Sequence, residues 1–179
     1  MKNTVVVYIA MSFDGYIATN DDDISFLDAV AIEGEDYGYN AFMESVSTVI
    51  LGNKTYQKVA SMGIEFPYPM DKQVYVLSSQ NKGSKKNITY WNDSLSSLLQ
   101  RINNEQSDGV IFVDGGSAVV RSFLEEGFVD KIIVSIIPIL LGDGKKLFQS
   151  GIPSKKLSLV QSKSFPSGLV QVEYDVEKG

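Results

Sequence analysis

The sequence contains neither cysteine nor histidine among its 179 residues. The lack of cysteine excludes disulfides and thiol nucleophiles, and the lack of both excludes Ser-His-Asp triads and zinc sites of the Cys/His type. Any proton transfer must therefore use a carboxylate, a tyrosine, a lysine or water. A cofactor that brings its own reactivity is the simplest way for such a chain to be an enzyme.

Positive charge is also scarce, with 16 lysines and arginines against 22 aspartates and glutamates and a net charge of −6. This balance argues against a nucleic acid or an anionic membrane as a partner. Apolar runs fall well short of the ~20 residues of a membrane-spanning helix, and the N-terminus begins as a strand rather than a signal peptide. We therefore expect a cytoplasmic protein with a single domain over residues 1–179.

The hydrophobic pattern is that of an α/β protein, with about eight strands and four helices. The predicted strands are 4–10, 48–51, 73–77, 88–91, 110–113, 129–137, 157–159 and 169–176. The predicted helices are 36–45, a short helix from the Gly52 turn to about Ala60, one around 95–102 and one that ends near Gly127. Residues 61–71 are predicted as a loop and 83–86 as a basic turn. This order predicts a mostly parallel sheet, helices on both faces and a C-terminal antiparallel hairpin.

A strand, a glycine pair and a helix follow one another at Val110–Val113, Gly115-Gly116 and the segment after Ser117. Glycine lets an anion approach the backbone, and the first N–H groups of the helix point at it. Taken alone, the pair is better explained as a tight turn that needs glycine only for geometry.

Two further predicted strands end in similar groups, Gly52-Asn53-Lys54-Thr55 and Ser78-Ser79. In α/β sheets, ligands bind beyond the carboxyl ends of the strands. Three sets of backbone and hydroxyl donors at such ends favour a nucleotide site. Asp21-Asp22-Asp23 lacks a recognisable ligand spacing and indicates a solvated loop, so no metal is expected.

Motifs spread over nearly the whole chain carry a family resemblance. In chain order they are Ala10…Asp14-Gly15-Tyr16-Ile17-Ala18, Ile50-Leu51-Gly52-x-Lys54-Thr55-Tyr56, Val76-Leu77-Ser78-Ser79, Asp114-Gly115-Gly116 and Val129-Asp130-Lys131…Pro138-Ile139-Leu140-Leu141-Gly142-x-Gly144. In order and spacing the set resembles the dihydrofolate reductase superfamily, and within it the reductase domain of riboflavin biosynthesis and its stand-alone bacterial relatives. The resemblance implies a dihydrofolate-reductase-like α/β/α fold and an NADPH-dependent reductase.

The resemblance also implies site residues. The first strand and Ile17-Ala18 would lie against the nicotinamide, the two glycine turns would hold the pyrophosphate, and Leu77-Ser78-Ser79 would lie at the adenosine. The residues assigned to the cofactor are Ala10, Ile17, Ala18, Gly52, Asn53, Lys54, Thr55, Leu77, Ser78, Ser79, Asp114, Gly115, Gly116, Ser117, Ala118 and Val119.

A carboxylate holds the pterin ring in dihydrofolate reductases, sixteen residues before the glycine matched by Gly52, and this count leads to Asp36. A strand hydroxyl that supports the carboxylate there corresponds to Ser135. The resemblance thus implies Asp36 and Ser135 as catalytic residues, with Asp36 as hydrogen-bond acceptor and as proton source through water. Tyr8 and Asp14 join Asp36 as substrate residues. The alternative is that Asp36 only stabilises the start of a helix.

The sequence departs from the family pattern in three ways. Asn53 stands where an arginine commonly reads the 2′-phosphate, which leaves NADH open unless Lys54, Lys82, Lys85 or Lys86 supplies the charge. Residues 63–69 replace an Asp-Asn-Pro substrate loop. The zinc deaminase half of the bifunctional riboflavin enzyme has no counterpart.

The leading hypothesis is hydride transfer from a reduced nicotinamide to a C=N or C=O bond of a small pyrimidine- or pterin-like substrate. A nucleotide-binding module without chemistry remains an alternative, as does a true dihydrofolate reductase, although the Pro-Trp pair usual before Asp36 is missing. Relatives often pair as homodimers, and the apolar C-terminal hairpin offers a possible surface.

Overall fold

The computed structural model describes residues 3–61, 67–105 and 108–178. The strands of this part are β1 (Thr4–Ser12), β2 (Tyr16–Ala18), β3 (Val46–Gly52), β4 (Gln73–Leu77), β5 (Gly83–Lys85), β6 (Ile88–Trp91), β7 (Val110–Gly115), β8 (Lys131–Ile137), β9 (Lys145–Lys146), β10 (Leu157–Ser164) and β11 (Val170–Val176). The helices are α1 (Tyr39–Ser45), α2 (Asn53–Ser61), α3 (Leu95–Glu105) and α4 (Ser117–Glu125), with a 3-10 helix at Ser25–Val30.

Nine of these strands form one sheet in the order β10-β11-β8-β1-β7-β3-β4-β6-β5. The six from β8 to β6 run parallel, while β11, β10 and β5 are antiparallel to their neighbours. Strands β2 and β9 pair separately. The mixed, mostly parallel sheet with a C-terminal hairpin is therefore confirmed.

Helices cover both faces of the sheet, as the alternation of strands and helices predicted. On one face, α3 and α4 contribute Leu98, Ile102, Val120 and Phe123 to the larger hydrophobic core. On the other face, Met43 of α1 lies in a second cluster with strand residues of β3, β4 and β7. A third, smaller cluster joins the 3-10 helix to the end of β8 and to the β10–β11 turn. The candidate site lies where the carboxyl ends of the central strands meet, at one end of the sheet that separates the two larger cores.

The predicted helix 36–45 begins later than expected, at Tyr39. Tyr37 and Gly38 have positive φ angles of 56° and 84°, which a right-handed helix does not accommodate. The Asp36 carboxylate accepts hydrogen bonds from the backbone N–H groups of Gly38 and Asn40, both at 2.9 Å. Asp36 therefore forms a turn before the helix rather than its first residue.

The predicted basic turn at 83–86 is mostly strand β5, which pairs with β6. The turn itself lies at Lys86, whose φ is +56°. Charged residues on a short edge strand are common because they discourage pairing with another chain, so the lysines gave a misleading turn signal. Of the predicted loop 61–71, residues 62–66 lie outside the described residues.

Candidate active site

The carboxyl ends of β7, β3 and β4 lie side by side at one edge of the sheet. Leu51 is paired with Gly115, and Gly52 with Leu77, in the parallel ladders of the three strands. The three groups of donors that the sequence indicated are therefore neighbours in space. They begin at Gly52, Ser78 and Gly115.

The two glycine turns pack against each other closely. The Gly116 N–H donates to the Thr55 hydroxyl at 2.9 Å, which ties the start of α4 to the first turn of α2. A Cβ on Gly52 would lie 3.1 Å from Cγ2 of Val119, and one on Gly116 would lie 3.4 Å from the Thr55 hydroxyl oxygen. Gly115 has φ of +112°, and no side chain caps the N-terminus of α4. The turns thus present backbone from two helix N-termini, which suits a diphosphate.

The third strand end is joined to the same edge. The Ser78 hydroxyl accepts from the backbone N–H groups of Gln80 and Asn81, at 3.3 and 3.0 Å. The Asn81 amide donates to Oδ1 of Asn53 at 3.2 Å. Asn53, which stands where relatives carry an arginine, is therefore fixed by the loop after β4.

The lysines proposed to replace that arginine do not lie together. Lys54 is exposed in the first turn of α2, and Lys82 comes just before Gly83, which pairs with Tyr90 near the carboxyl end of β6. Lys85 pairs with Ile88 at the opposite end of β6, so Lys85 and Lys86 lie away from the glycine turns. The structure leaves Lys54 and Lys82 as candidates for reading a 2′-phosphate.

A cavity of about 340 Å³ opens next to the glycine turns, over the β1–β7–β8 part of the sheet. The lining residues come from these strands, the 3-10 helix, the segment before α1 and the start of β11. They are Tyr8, Ile9, Ala10, Leu27, Val30, Ala31, Asp36, Tyr37, Tyr39, Phe112, Asp114, Ser135, Ile137 and Leu169. The sequence-predicted residues Tyr8, Ala10, Asp36 and Ser135 are brought together here.

Asp114 lines this cavity, although the sequence assigned it to the cofactor turn. The Tyr68 hydroxyl donates a short hydrogen bond to its carboxylate. Burial raises the pKa of Asp114, and the Tyr68 hydrogen bond offsets this only in part. Burial and the nearby Asp114 charge also raise the pKa of Tyr68. The carboxyl group in the cavity thus belongs to the residue directly before the glycine backbone of the adjoining turn.

Asp36 is exposed at the cavity, and its environment lowers its pKa, whereas that of Asp114 is raised. The hydrogen bonds from Gly38 and Asn40 lower its pKa, so the carboxylate is ionised at neutral pH. An ionised carboxylate accepts hydrogen bonds but holds no proton to give. The resemblance implied two roles for Asp36, hydrogen-bond acceptor and proton source through water. The structure favours the role of acceptor.

Ser135 is buried and pairs with Gln171, a residue that the sequence did not single out. The Gln171 amide lies 3.1 Å from the Ser135 hydroxyl and 2.8 Å from the Tyr8 hydroxyl, which in turn donates to the Tyr37 carbonyl at 3.0 Å. Burial raises the pKa of Tyr8, which keeps its hydroxyl neutral. The expected Ser135 support of Asp36 is thus replaced by a network that positions Tyr8. Gln171 is identified as the partner of Ser135 only by the structure, in which the two residues are paired across β11 and β8.

Asp14 has a structural place outside the cavity lining, contrary to its assignment to the substrate. Its carboxylate accepts from the Ser12 hydroxyl at 2.6 Å and from the backbone N–H groups of Leu141 and Gly142 at 3.1 and 2.7 Å. These bonds lower its pKa, the Ser12 bond most strongly. Asp14 therefore ties the β1–β2 turn to the loop after β8.

The acidic loop holds ion pairs and turns of its own. Asp22 pairs with Lys145, and Asp23 accepts from the Ser25 hydroxyl. Across residues 3–61, 67–105 and 108–178, no group of three acidic side chains is placed to hold a metal ion. In the same ranges, no helix has the length and apolarity to cross a bilayer.

Comparison with solved structures identifies the fold. The bifunctional deaminase and 5-amino-6-(5-phosphoribosylamino)uracil reductase of Thermotoga maritima superposes with a TM-score of 0.72 at 18% identity, over 98% of this chain and 57% of that one. Dihydrofolate reductase of Enterococcus faecalis, complexed with NADP(H), superposes with a TM-score of 0.64 at 13% identity, over 98% and 97% of the two chains. The fold is that of dihydrofolate reductase, as the sequence resemblance implied.

Closer relatives match the chain from end to end. The uncharacterized protein YwjB of Bacillus subtilis (strain 168) is 37% identical over 97% of this chain and 98% of its own. A putative riboflavin biosynthesis protein from Shewanella sp. PV-4 has a TM-score of 0.89 at 28% identity, over 98% and 99% of the two chains. The profile of the RibD C-terminal domain matches residues 3–171. The chain therefore belongs to the RibD C-terminal domain family.

Proposed function

We propose that the protein is an NADPH-dependent reductase that transfers a hydride to a C=N or C=O bond of a pyrimidine- or pterin-like heterocycle. The observation that carries the proposal is the position of Asp114. Its side chain lines the cavity, and the next two residues form the glycine turn. A dinucleotide on the turn and a heterocycle in the cavity would thus be neighbours, as hydride transfer requires.

The glycine edge, the edge of the sheet that carries the turns at Gly52 and Gly115-Gly116, fits a nicotinamide dinucleotide. The backbone of residues 52–55 and 115–119 would hold the diphosphate, and Leu77, Ser78 and Ser79 would lie along the adenosine. Ala10 of β1 would lie under the nicotinamide, because it lines the cavity next to Ser135 and Asp114. When bound, the reduced nicotinamide supplies the hydride.

The chain's own groups would orient the heterocycle and provide its proton. Asp36 would accept hydrogen bonds from amino or ring N–H groups of the substrate. The Asp114 carboxyl group, with its raised pKa, would hold a proton for the nitrogen or oxygen of the bond that accepts the hydride. Two carboxyl groups whose environments separate their pKa values are a common basis for such a division of roles.

The relatives support the same reaction class. The Thermotoga maritima neighbour is described as a reductase of an aminouracil, and the Enterococcus faecalis enzyme is complexed with NADP(H). The chain spans 57% of the length of the former. We therefore extend to this protein the reductase chemistry but not the deamination.

The test is NADPH oxidation, followed by absorbance, with a panel of reducible aminopyrimidines, pterins and dihydropterins. We expect oxidation with at least one of them, and a rise in thermal midpoint with NADPH alone. A midpoint rise without oxidation of NADPH by any compound would favour a nucleotide-binding module that lacks the chemistry. No midpoint rise with NADPH or NADH would contradict both assignments.

A further inference from the structure

We infer that the heterocycle reduced at this site carries no phosphate group. This inference rests on the proposed function and narrows its substrate class. Its basis is the set of charged side chains around the cavity. Of the fourteen described residues that line it, two are aspartates, three are tyrosines and none is lysine or arginine.

A bound phosphate normally meets arginine or lysine side chains, or the free backbone N–H groups of a helix N-terminus. The N-termini of α2 and α4 lie at the glycine edge, where the proposed cofactor diphosphate binds. At the start of α1, which opens on the cavity, Gly38 and Asn40 already donate to the Asp36 carboxylate. The backbone donors of the cavity are thus used by the chain's own carboxylate.

The ionised side chain among those that line the cavity is the exposed Asp36 carboxylate. Asp114 also lines the cavity but is buried, and burial raises its pKa. Burial, with smaller effects from the neighbouring Asp114 and Tyr8, raises the pKa of Tyr39 to about 12. A phosphate here would be repelled by the ionised Asp36, whereas an amino-substituted ring would find an acceptor in Asp36 and neutral hydroxyls in the tyrosines. A volume of about 340 Å³ suits one such ring system.

Lys163 is a cation near the rim of the cavity, close enough to Asp36 to act on its charge. Its charge contributes to the lowered pKa of Asp36. Its ammonium group lies 4.3 Å above the ring of Phe165, which contacts the ring of Tyr37, a cavity residue. To meet a phosphate, Lys163 would have to leave the aromatic face.

The test compares two matched pairs of compounds that differ only in phosphate. One pair is 5-amino-6-ribosylaminouracil and its 5′-phosphate, and the other is 7,8-dihydroneopterin and its monophosphate. Binding to the full-length protein is measured by calorimetry with NADP⁺ present, so that no hydride is transferred. We expect the unphosphorylated member of at least one pair to bind about tenfold tighter or more, since a phosphate in the cavity would meet the ionised Asp36 and no lining lysine or arginine.

Two variants assign the cause. Asp36→Asn should reduce the preference for the unphosphorylated compound at least threefold, and Lys163→Met should leave it unchanged. Equal or tighter binding of the phosphorylated compounds would overturn the inference and leave the reductase proposal standing. Loss of that binding in Lys163→Met would show that Lys163 holds the phosphate. If NADP⁺ binds but neither pair does, the proposed substrate class fails, and the inference fails with it.

Discussion

Two aspartates that line one cavity have pKa values displaced in opposite directions. Backbone N–H groups stabilise the ionised form of Asp36, while burial favours the protonated form of Asp114. Each residue is thus suited to one task, Asp36 to accepting hydrogen bonds and Asp114 to holding a proton.

Replacing Asp114 by asparagine removes the proton but keeps an oxygen that can accept from Tyr68. We expect turnover to fall by a factor of about 100, within the range of general acid catalysis, with cofactor affinity changed less than about twofold. The measurement is steady-state kinetics with NADPH titration. An equal loss of NADPH affinity would show that Asp114 serves the cofactor, as the sequence first suggested.

The pH dependence of stability gives an independent test of Asp114. Because its pKa is raised in the folded state, its contribution to stability is present at low pH and is lost as pH rises through that folded pKa. Asp114→Asn should therefore become more stable relative to the parent as pH rises. Thermal melts from pH 4 upward measure this, and a constant difference between the two proteins would contradict the raised pKa.

For Asp36 the sign is reversed. Its lowered pKa means that its stabilising hydrogen bonds are present above the usual aspartate range and are lost as pH falls through the lowered value.

We expect Asp36→Asn to leave NADPH affinity nearly unchanged and to lower turnover or raise the substrate KM by about tenfold, the loss of one charge-assisted hydrogen bond. Unaltered turnover and KM would reduce Asp36 to a turn residue.

Sequence reasoning named Asp36, Ser135 and Tyr8, which line one cavity, but it placed Ser135 against Asp36 rather than Gln171. Gln171 supports Ser135 from β11, a strand 36 positions later in the chain. Nothing in a single sequence marks such a cross-strand contact, because the alternation of β11 predicts only which of its residues share a face. The direction of the Asp114 side chain was missed because the adjacent glycines drew attention to the backbone.

Gln171→Leu should remove the amide that donates to both Ser135 and Tyr8 in the cavity wall. We expect the free energy of unfolding to fall by about 1–3 kcal/mol, the cost of a buried polar group left unpaired. Chemical denaturation measures it. Gln171→Glu, which keeps acceptors but removes the amide donor, is the matched control and should not restore stability.

At the scale of elements, the start of α2 and the start of α4 are held together by the two glycine turns. A methyl group at Gly52 would meet Val119 at 3.1 Å and push the two helix starts apart. We expect Gly52→Ala to weaken NADPH binding by about tenfold while the fold is retained, since one helix N-terminus would move off the phosphate. Fluorescence titration of NADPH measures the change.

The double variant Gly52→Ala with Val119→Ala is the control for that effect. Removing the valine methyl groups restores the space, so part of the lost affinity should return. No recovery would mean that glycine is needed at position 52 for direct approach of the ligand rather than for packing of the two helices.

Most elements were predictable because their apolar periodicity was strong, as in β1, β3, β4, β7 and α3. The errors fell where local side-chain bonds or edge position outweigh periodicity. Asp36 bonds to its own following backbone and delays α1, and the lysines of β5 lie on an edge strand. Short strands such as β2 and β9 pair only with each other, so no pattern along the chain announced them.

At the scale of the whole molecule, the outer hairpin leaves an edge strand exposed. All eight residues of β10 are exposed, and Leu157, Leu159 and Val160 are 44%, 59% and 48% accessible. Apolar side chains on an unpaired edge are a common basis for association between chains. We keep the prediction of a homodimer through this strand.

Light scattering coupled to size exclusion should give twice the mass of one chain. Leu159→Lys should shift the protein toward the mass of one chain without a change in fold, and Ser158→Lys, a substitution at a polar position of the same strand, is the matched control. A monomer at all concentrations would contradict the prediction.

The central claim is that a nicotinamide dinucleotide lies across the carboxyl ends of β3, β4 and β7 and reaches the Asp114 cavity. A crystal structure of the protein with NADP⁺ tests it most directly. The account predicts diphosphate oxygens within hydrogen-bond distance of the backbone N–H groups in 52–55 and 115–119, and a nicotinamide ring beside Ala10. A dinucleotide bound away from these turns, or with its adenine in the cavity, would contradict the account.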